Sequence, residues 1–303
     1  MFADLKNDFV FRRIFAKHPD ILRALLNDLL DRRDEQAIDT IEYLPSEQLT
    51  LVAGAKLSIL DVRCRDRSGT TFIVEMQLLH VAGFVNRVVY NACKAYADQL
   101  KAGDSYTKLS DVIAISICDF ALWPDAEQDS AGLPRVPMLS RWTTTERSSG
   151  NHGLLQVQYA FLELPKLPAK KPETAGAELW AWLFVHAPEL SEMPKDLPPG
   201  LYRAAVELAN EATFTQGELE AYRKVMDEIQ QAREYGEAQL EKGRAEGKAS
   251  GKASAILAIF AARGIELSAA LRARIEACND IPTLDRWIAQ AVTASSAEDF
   301  FRP

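Results

Sequence analysis

Two apolar runs with a helical pattern between them constrain the fold of this chain most strongly. Residues 70–80 read TTFIVEMQLLH and residues 111–120 read DVIAISICDF, and both are rich in β-branched or aromatic side chains. Short apolar runs of this kind are typical of strands that are buried on both faces, as in parallel sheets. The order strand, helix, strand therefore predicts an α/β domain with both runs inside one sheet.

The run before the first of these strands predicts a hairpin. Residues 57–66 read LSILDVRCRD, and a short Arg-Ser-Gly turn joins them to residues 70–80. Gly69 supplies the backbone freedom that a tight hairpin turn requires. We therefore expect a central mixed sheet that contains 57–66, 70–80 and 111–120.

The N-terminal segment predicts two helices. Residues 8–30 show apolar side chains at helical spacing. Pro19 falls inside the segment and should divide it, because proline removes a backbone donor and disrupts a helix interior. Asn7 and Asp8 are alternative N-cap residues for the first helix.

Residues 84–101, FVNRVVYNACKAYADQLK, predict the helix that follows the hairpin. We expect it to pack on the sheet through Val85, Val89 and Tyr96. A second stripe at four- and three-residue spacing is polar, which predicts a solvent-facing edge or a binding edge. That stripe comprises Arg87, Asn91, Lys94, Asp98 and Lys101.

Polar side chains interrupt the two strands of the hairpin. Glu75 and Gln77 are two residues apart in an otherwise apolar strand and therefore project from one face. Asp61 interrupts the neighbouring strand and can lie beside Glu75. Two carboxylates on adjacent strands form a hard-oxygen site suited to Mg²⁺ or Mn²⁺, and their mutual repulsion should raise at least one pKa when no cation is bound. The alternative is a solvated strand face without a ligand.

Charge neither requires nor forbids a nucleic-acid partner. The net charge of −8 argues against a generic basic coat protein. Residues 1–118 nevertheless hold 15 Lys and Arg against 16 Asp and Glu, so most of the negative charge lies beyond them. Arg87 and Lys94 could contact phosphates flanking a metal site, or they could form an ordinary solvated helix face.

These features together resemble a known family. Asp61 followed by Glu75-x-Gln77, on the order helix, three strands, helix, strand, resembles the PD-(D/E)XK nuclease superfamily with Gln in the usual Lys position. The segments KNDFVFRRIFAKHPDILRALLNDLL and SILDVRCRDRSGTTFIVEMQ are similar to the Rpn family of recombination-promoting nucleases and transposases within it. The similarity is close over residues 5–125 and looser to about residue 250.

The resemblance implies a fold and a function. The fold is a restriction-endonuclease-like α/β core, a central mixed sheet flanked by helices, with a helical C-terminal extension. The function is a Mg²⁺- or Mn²⁺-dependent DNA endonuclease associated with DNA recombination or mobile elements. Asp61, Glu75 and Gln77 would be catalytic, with Asp61, Glu75 and Asp8 as metal ligands and with Arg87 and Lys94 on DNA.

One departure from the family pattern keeps a second function open. A lysine can stabilise charge and help to deprotonate water, whereas the amide of Gln77 can only orient it. The alternative is therefore a weakly active or inactive DNA-binding or protein-interaction module on a nuclease fold. Asp8 also has an alternative role as a helix cap.

Composition changes along the chain predict three regions. Residues 1–235 form the nuclease-like domain, 236–255 a connector rich in Gly, Lys and Glu, and 256–303 a small helical module. The connector repeats glycine about every four residues, which predicts either a helix with a glycine edge or a flexible linker. A glycine edge would allow close helix approach and is compatible with a homodimer.

The expected location is the cytoplasm. No apolar run in the sequence approaches the ~20 residues that a membrane-spanning helix needs. The four cysteines are scattered without a CxxC pair, as is usual for reduced thiols. No membrane partner is expected.

Overall fold

The structure, a computed structural model, describes residues 1–45, 47–48, 58–59, 61–123, 136–170, 172, 175–297 and 300. The strands are β1 (Ile41–Tyr43), β2 (Glu47–Gln48), β3 (Ser58–Ile59), β4 (Val62–Asp66), β5 (Thr71–Gln77), β6 (Val112–Cys118), β7 (Leu139–Trp142) and β8 (Val157–Glu163). The helices are α1 (Asp8–Phe15), α2 (Pro19–Leu30), α3 (Phe84–Ala97), α4 (Ala177–His186), α5 (Leu201–Leu208), α6 (Gln216–Ala262), α7 (Ala269–Glu276) and α8 (Ile281–Thr293).

A six-stranded mixed sheet organises the first part of the chain. Its strand order is β1-β4-β5-β6-β8-β7, and β2 pairs with β3 separately. The central strands β5, β6 and β8 are parallel, whereas β1, β4 and β7 join antiparallel. The predicted α/β class, the hairpin and the interior parallel strand at 111–120 are therefore confirmed.

Alternate residues of β5 divide the sheet into two buried faces. Phe72, Val74 and Met76 belong to a core shared with α1, α2 and α4. Ile73 belongs to a second core beneath α3. Helices thus cover both faces, which explains why the strand reads as an almost continuous apolar run.

The predicted strand at 57–66 is wrong in part. Its second half forms β4, but Asp61 lies in a bend immediately before it, and Ser58–Ile59 pair with β2. The physical reason is that a carboxylate oxygen of Asp61 accepts the Met76 backbone N–H, at the place where the β4–β5 ladder ends. Residues 57 and 60 lie outside the described residues.

The two N-terminal helices are confirmed. Asn7 is buried, and its side chain caps α1 by accepting from the N–H groups of Phe9 and Val10. The cap is therefore Asn7, and the cap alternative for Asp8 is wrong. Pro19 is the first residue of α2, a position where the missing N–H costs nothing.

The predicted packing face of α3 is wrong for two of its three residues. Val85 and Val89 are 41% and 40% exposed, while Tyr96 does pack against the core. The helix is rotated so that Phe84 and Val88 lie on the sheet. The face that meets the sheet also includes part of the polar stripe, whose buried Asn91 contacts a strand carboxylate. Its buried residues are Phe84, Val88, Asn91, Ala92 and Ala95.

The chain divides into two compact units, Met1–Ile229 and Gln230–Pro303. Helix α6 runs without interruption through the glycine repeat, so the repeat is helical. No atom would lie within 4 Å of a Cβ added at Gly243, Gly247 or Gly251, so nothing in the described chain packs closely there. The second unit has its own core, formed by Ala249, Ala253, Ile256, Phe260, Ile275, Leu284, Trp287, Ala291 and Phe300.

The described helices and the four cysteines bear on the expected environment of the chain. None of their helices combines the length and apolar character of a bilayer-spanning segment. All four cysteines are free thiols; Cys64 and Cys118 are buried, Cys93 is exposed and Cys278 is half-buried.

A matched pair of substitutions in α3 tests the observed packing face. Val88→Ala removes buried methyl groups and should lower the free energy of unfolding by about 2 kcal/mol. Val85→Ala should change it by less than about 0.5 kcal/mol, because the Val85 side chain is largely solvated. Urea denaturation of the two variants and the wild type measures both values. A larger loss for Val85→Ala would mean that the helix is rotated the other way.

Candidate active site

Asp61 and Glu75 meet at the end of the β4–β5 ladder. The register ends at the pair Val62 and Val74, and Asp61, in the bend before β4, reaches β5 by accepting the Met76 N–H. The charge of Asp61 acts on the Glu75 carboxyl, as expected for close neighbours. The hairpin therefore brings the two predicted acids together.

Hydrogen bonds hold both oxygens of the Asp61 carboxylate. Its Oδ2 accepts the Met76 backbone N–H at 2.8 Å, and its Oδ1 accepts from Arg12 Nη2 at 3.2 Å. The side chain is only 15% exposed. Because one contact comes from β5 and the other from α1, the carboxylate is fixed between the sheet and the N-terminal helix.

Glu75 has one oxygen in contact with the protein and one without a partner. Its Oε1 accepts from Asn91 Nδ2 of α3 at 3.1 Å. Its Oε2 is buried, and no described residue donates a hydrogen bond to it. A buried polar atom without a partner costs about 1–3 kcal/mol, and more if charged, so a native structure rarely keeps one without reason.

Both carboxyls resist ionisation. Burial, followed by the charge of Asp8, raises the pKa of Asp61 to about 6, although the Met76 N–H and Arg12 oppose the rise. Burial and the charge of Asp61 raise the pKa of Glu75, against opposing effects of Arg87 and Asn91. The predicted like-charge repulsion is therefore present, but burial is the larger cause.

Gln77 is oriented by the helix above it. Its Oε1 accepts a hydrogen bond of 2.6 Å from Arg87 Nη2, and the Arg87 guanidinium also lies over the Phe84 ring. With the carbonyl oxygen engaged by a cation, the NH₂ group is the end of the amide left to donate. Gln77 can therefore offer a hydrogen bond to an oxygen atom but cannot accept a proton.

Asp8 approaches the site through Arg12. Arg12 Nε donates to Asp8 Oδ1 at 2.9 Å, while Nη2 of the same guanidinium donates to Asp61. The Asp8 side chain is 56% exposed. One arginine thus bridges the most exposed and one of the most buried acids of the cluster and partly neutralises both.

Comparison with known proteins identifies the family. A family model described as PD-(D/E)XK nuclease family transposase matches residues 5–235. The chain belongs to that family. No curated protein and no solved structure matches it. The resemblance read from Asp61 and Glu75-x-Gln77 is thereby confirmed at the level of the family.

PD-(D/E)XK nucleases generally use divalent metal ions, and the residues of this site fit one. The described residues contain no group of three or more His, Cys, Asp or Glu side chains arranged to hold a metal. They do provide two adjoining carboxylates, one of which has an unpartnered buried oxygen. Hard cations prefer such oxygen ligands, and Mg²⁺ is commonly held by one or two carboxylates with water and phosphate completing its coordination.

Two side chains at this site, Asn91 and Arg12, are not among the residues predicted for it. Asn91 lies in the predicted polar stripe and contacts Glu75 directly. Its position in that stripe, between Arg87 and Lys94, is the sequence feature that could have identified it as a site residue. Arg12 follows Asp8 by four residues, a spacing at which helical residues pair. Its second contact, to Asp61, joins distant segments and has no local signal. Lys94, which the sequence predicts as a DNA contact, is half-buried on the same edge of α3.

Removing one buried charge from the metal-free protein should stabilise it at alkaline pH. The folded-state pKa of Glu75 is raised, so ionisation is penalised only after folding. The penalty is absent below the unfolded pKa of ~4.3 and develops as pH rises towards the raised value. Glu75→Gln should therefore increase the melting temperature at pH 8 in EDTA, and the increase should disappear near pH 4.

The exposed acid Glu207 provides the control, since Glu207→Gln should leave the melting temperature unchanged at both pH values. Addition of Mg²⁺ should raise the wild-type melting temperature and leave that of Glu75→Gln unaltered. A Glu75→Gln protein that is less stable than the wild type at pH 8 would contradict the proposed cost of burying the Glu75 charge.

Proposed function

We propose that this chain is a divalent-metal-dependent DNA endonuclease that acts in DNA recombination or on mobile elements. Asp61 and Glu75 hold Mg²⁺ or Mn²⁺, and Asp8, joined to Asp61 through Arg12, adds negative charge from the solvent side. Gln77 orients the reacting oxygen, while Arg87 and Lys94 contact phosphates beside the cleavage position. Family membership supports the nuclease role and implies DNA as the substrate.

One observation supports the metal role above the others: the buried Glu75 Oε2 beside a second buried carboxylate. A purely structural acid at this depth would be expected to have donors for both oxygens. Two acids with raised pKa values are costly to keep together, and a divalent cation removes that cost. The arrangement is therefore better explained by a ligand than by packing.

The protein side chains have separate tasks in this reaction. The chemistry that a bound Mg²⁺ or Mn²⁺ supplies is polarisation of the phosphodiester and easier deprotonation of water. The Met76 N–H holds Asp61 in place, and Asn91 holds Glu75. Both carboxylates are thus positioned before substrate arrives, which lowers the entropy cost of assembling the site.

Gln77 stands at the position where the superfamily usually has a lysine, which could help to deprotonate water. Since Arg87 engages its carbonyl oxygen, its NH₂ group can donate to a phosphate oxygen or to the attacking water. It cannot act as a general base, so the proton of the water must pass to another acceptor, such as solvent or the substrate phosphate. We expect a slower enzyme than one with lysine at this position.

A second candidate follows from the same residue. With an amide at position 77, the fold could serve as a DNA-binding or protein-interaction module that cleaves weakly or not at all. Such a module would still bind DNA through Arg87 and Lys94. The two candidates differ in whether Asp61 and Glu75 are needed for cleavage or only for structure.

Nicking of supercoiled plasmid DNA separates the two candidates. The wild type should nick in Mg²⁺ or Mn²⁺ and stop in EDTA. Asp61→Asn and Glu75→Gln should each reduce the rate by at least about 100-fold, because each weakens a charge interaction worth several kcal/mol in the transition state. Asp31→Asn is the matched control, since Asp31 is exposed and asparagine tolerates its left-handed backbone (φ 52°).

Equal nicking by the wild type and Glu75→Gln, after removal of contaminating nucleases, would exclude the proposed metal site. The same assay addresses the proposed division into 1–235, 236–255 and 256–303. A chain without residues 236–303 should keep metal-dependent nicking and change only its assembly or DNA affinity. Complete loss of cleavage by a folded, metal-binding truncated chain would assign the tail to the enzyme.

A further inference from the structure

Unpartnered buried polar atoms are concentrated on one hairpin of this chain. Among the described residues, five buried side-chain nitrogen or oxygen atoms have no hydrogen-bond partner. Four of the five lie on β4 and β5, on Arg63, Arg65, Thr71 and Glu75. Glu75 belongs to the proposed metal site, but the other three lie beyond it along the hairpin.

These atoms share a sheet face. The register pairs Arg63 with Ile73 and Arg65 with Thr71. Opposed residues and residues two apart point to the same side, so the four side chains form one surface. Ile73 packs in the core beneath α3, which identifies this side as the one that α3 partly covers. Helix α3 presents Arg87 and Lys94 along the same side.

Two arginines placed side by side on this surface are electrostatically unfavourable. Arg63 and Arg65 are both half-buried. The acids near them include Asp98, the C-cap residue of α3, and Glu42, which lies opposite Arg65 on β1. A strand rarely keeps two like charges and two unpaired guanidinium nitrogens unless an anion meets them.

Arg63 and Arg65 form a row that leads away from the carboxylate pair. They are alternate residues of β4, which begins directly after Asp61. Alternate strand residues are about 6.7 Å apart, which is comparable with the separation of successive phosphates along one strand of nucleic acid. A phosphodiester chain with one phosphate at Asp61 and Glu75 can therefore place the next phosphates at Arg63 and Arg65.

We propose that Arg63 and Arg65 bind the phosphodiester backbone of the DNA strand next to the cleavage position, along the α3-facing side of the β4–β5 hairpin. This inference rests on the proposed nuclease function, since it assumes that DNA is the substrate. The contact is to phosphates, so it positions the strand without reading its sequence. Arginine suits the role because its fork-shaped guanidinium binds a phosphate through two donors.

The salt dependence of DNA binding tests the proposal. Binding of a fluorescent duplex to the full-length protein is measured by anisotropy in EDTA, where metal-dependent cleavage is blocked, over a range of salt concentrations. Each phosphate contact contributes about 0.9 to the slope of log K against log salt. Arg63→Gln and Arg65→Gln should each lower the slope by about 0.9, and the double variant by about 1.8, for duplexes of unrelated sequence.

Arg67 provides the matched control. It lies in the turn of the same hairpin, its side chain is 74% exposed, and it pairs with Asp39. Arg67→Gln removes the same charge and should leave the slope unchanged. Arg63→Lys and Arg65→Lys keep the charge and should keep the slope, which separates loss of a phosphate contact from loss of folding.

The outcomes distinguish this inference from the proposed function. A double variant with the wild-type slope, while the wild type binds DNA, would overturn the arginine contact and leave the nuclease proposal intact. An equal decrease for Arg67→Gln would also overturn it, because the effect would then be general charge. A wild type that neither binds nor cleaves DNA would overturn both.

Discussion

The site depends on how the β4–β5 ladder ends. At that point the Met76 N–H donates to the carboxylate of Asp61. This single hydrogen bond turns a strand residue into a bend and fixes a charge beside Glu75, on a sheet whose faces are both covered by helices. The remaining features of the site follow from the burial of Asp61 and Glu75. Arg12 and Asn91 supply the donors, and the pKa values of both acids rise.

A second buried acid of the same sheet shows what a structural carboxylate looks like here. Glu163 ends β8 and is fully buried. Its Oε1 accepts from Lys166, and its Oε2 accepts from the N–H groups of Leu122 and Trp123. Both oxygens are therefore satisfied. Glu75 is also buried, at 6% exposed, but lacks a donor for Oε2, so the main difference between the two sites is a missing hydrogen-bond partner.

Local patterns in the sequence predict which segments form helices and strands, but they do not predict which face of a helix meets the sheet. The apolar run at 111–120 and the hairpin glycine predict the sheet because burial and backbone freedom are properties of neighbouring residues. The face of α3 was mispredicted because Asn91 looks like a solvent residue until Glu75 is placed beneath it. The contact of Arg12 with Asp61 likewise joins segments 49 positions apart. The roles proposed for Asp61 and Glu75 come from the family resemblance, because spacing alone left them open.

The central claim is that Asp61 and Glu75 hold one divalent cation. The most direct measurement is a crystal structure of the wild type soaked in Mn²⁺, with anomalous diffraction data collected at the manganese absorption edge. The account predicts one anomalous peak within coordination distance, about 2.0–2.6 Å for hard cations, of oxygens from both carboxylates, with Glu75 Oε2 among them. A site without a peak at saturating Mn²⁺, or a peak bound only by other residues, would contradict it.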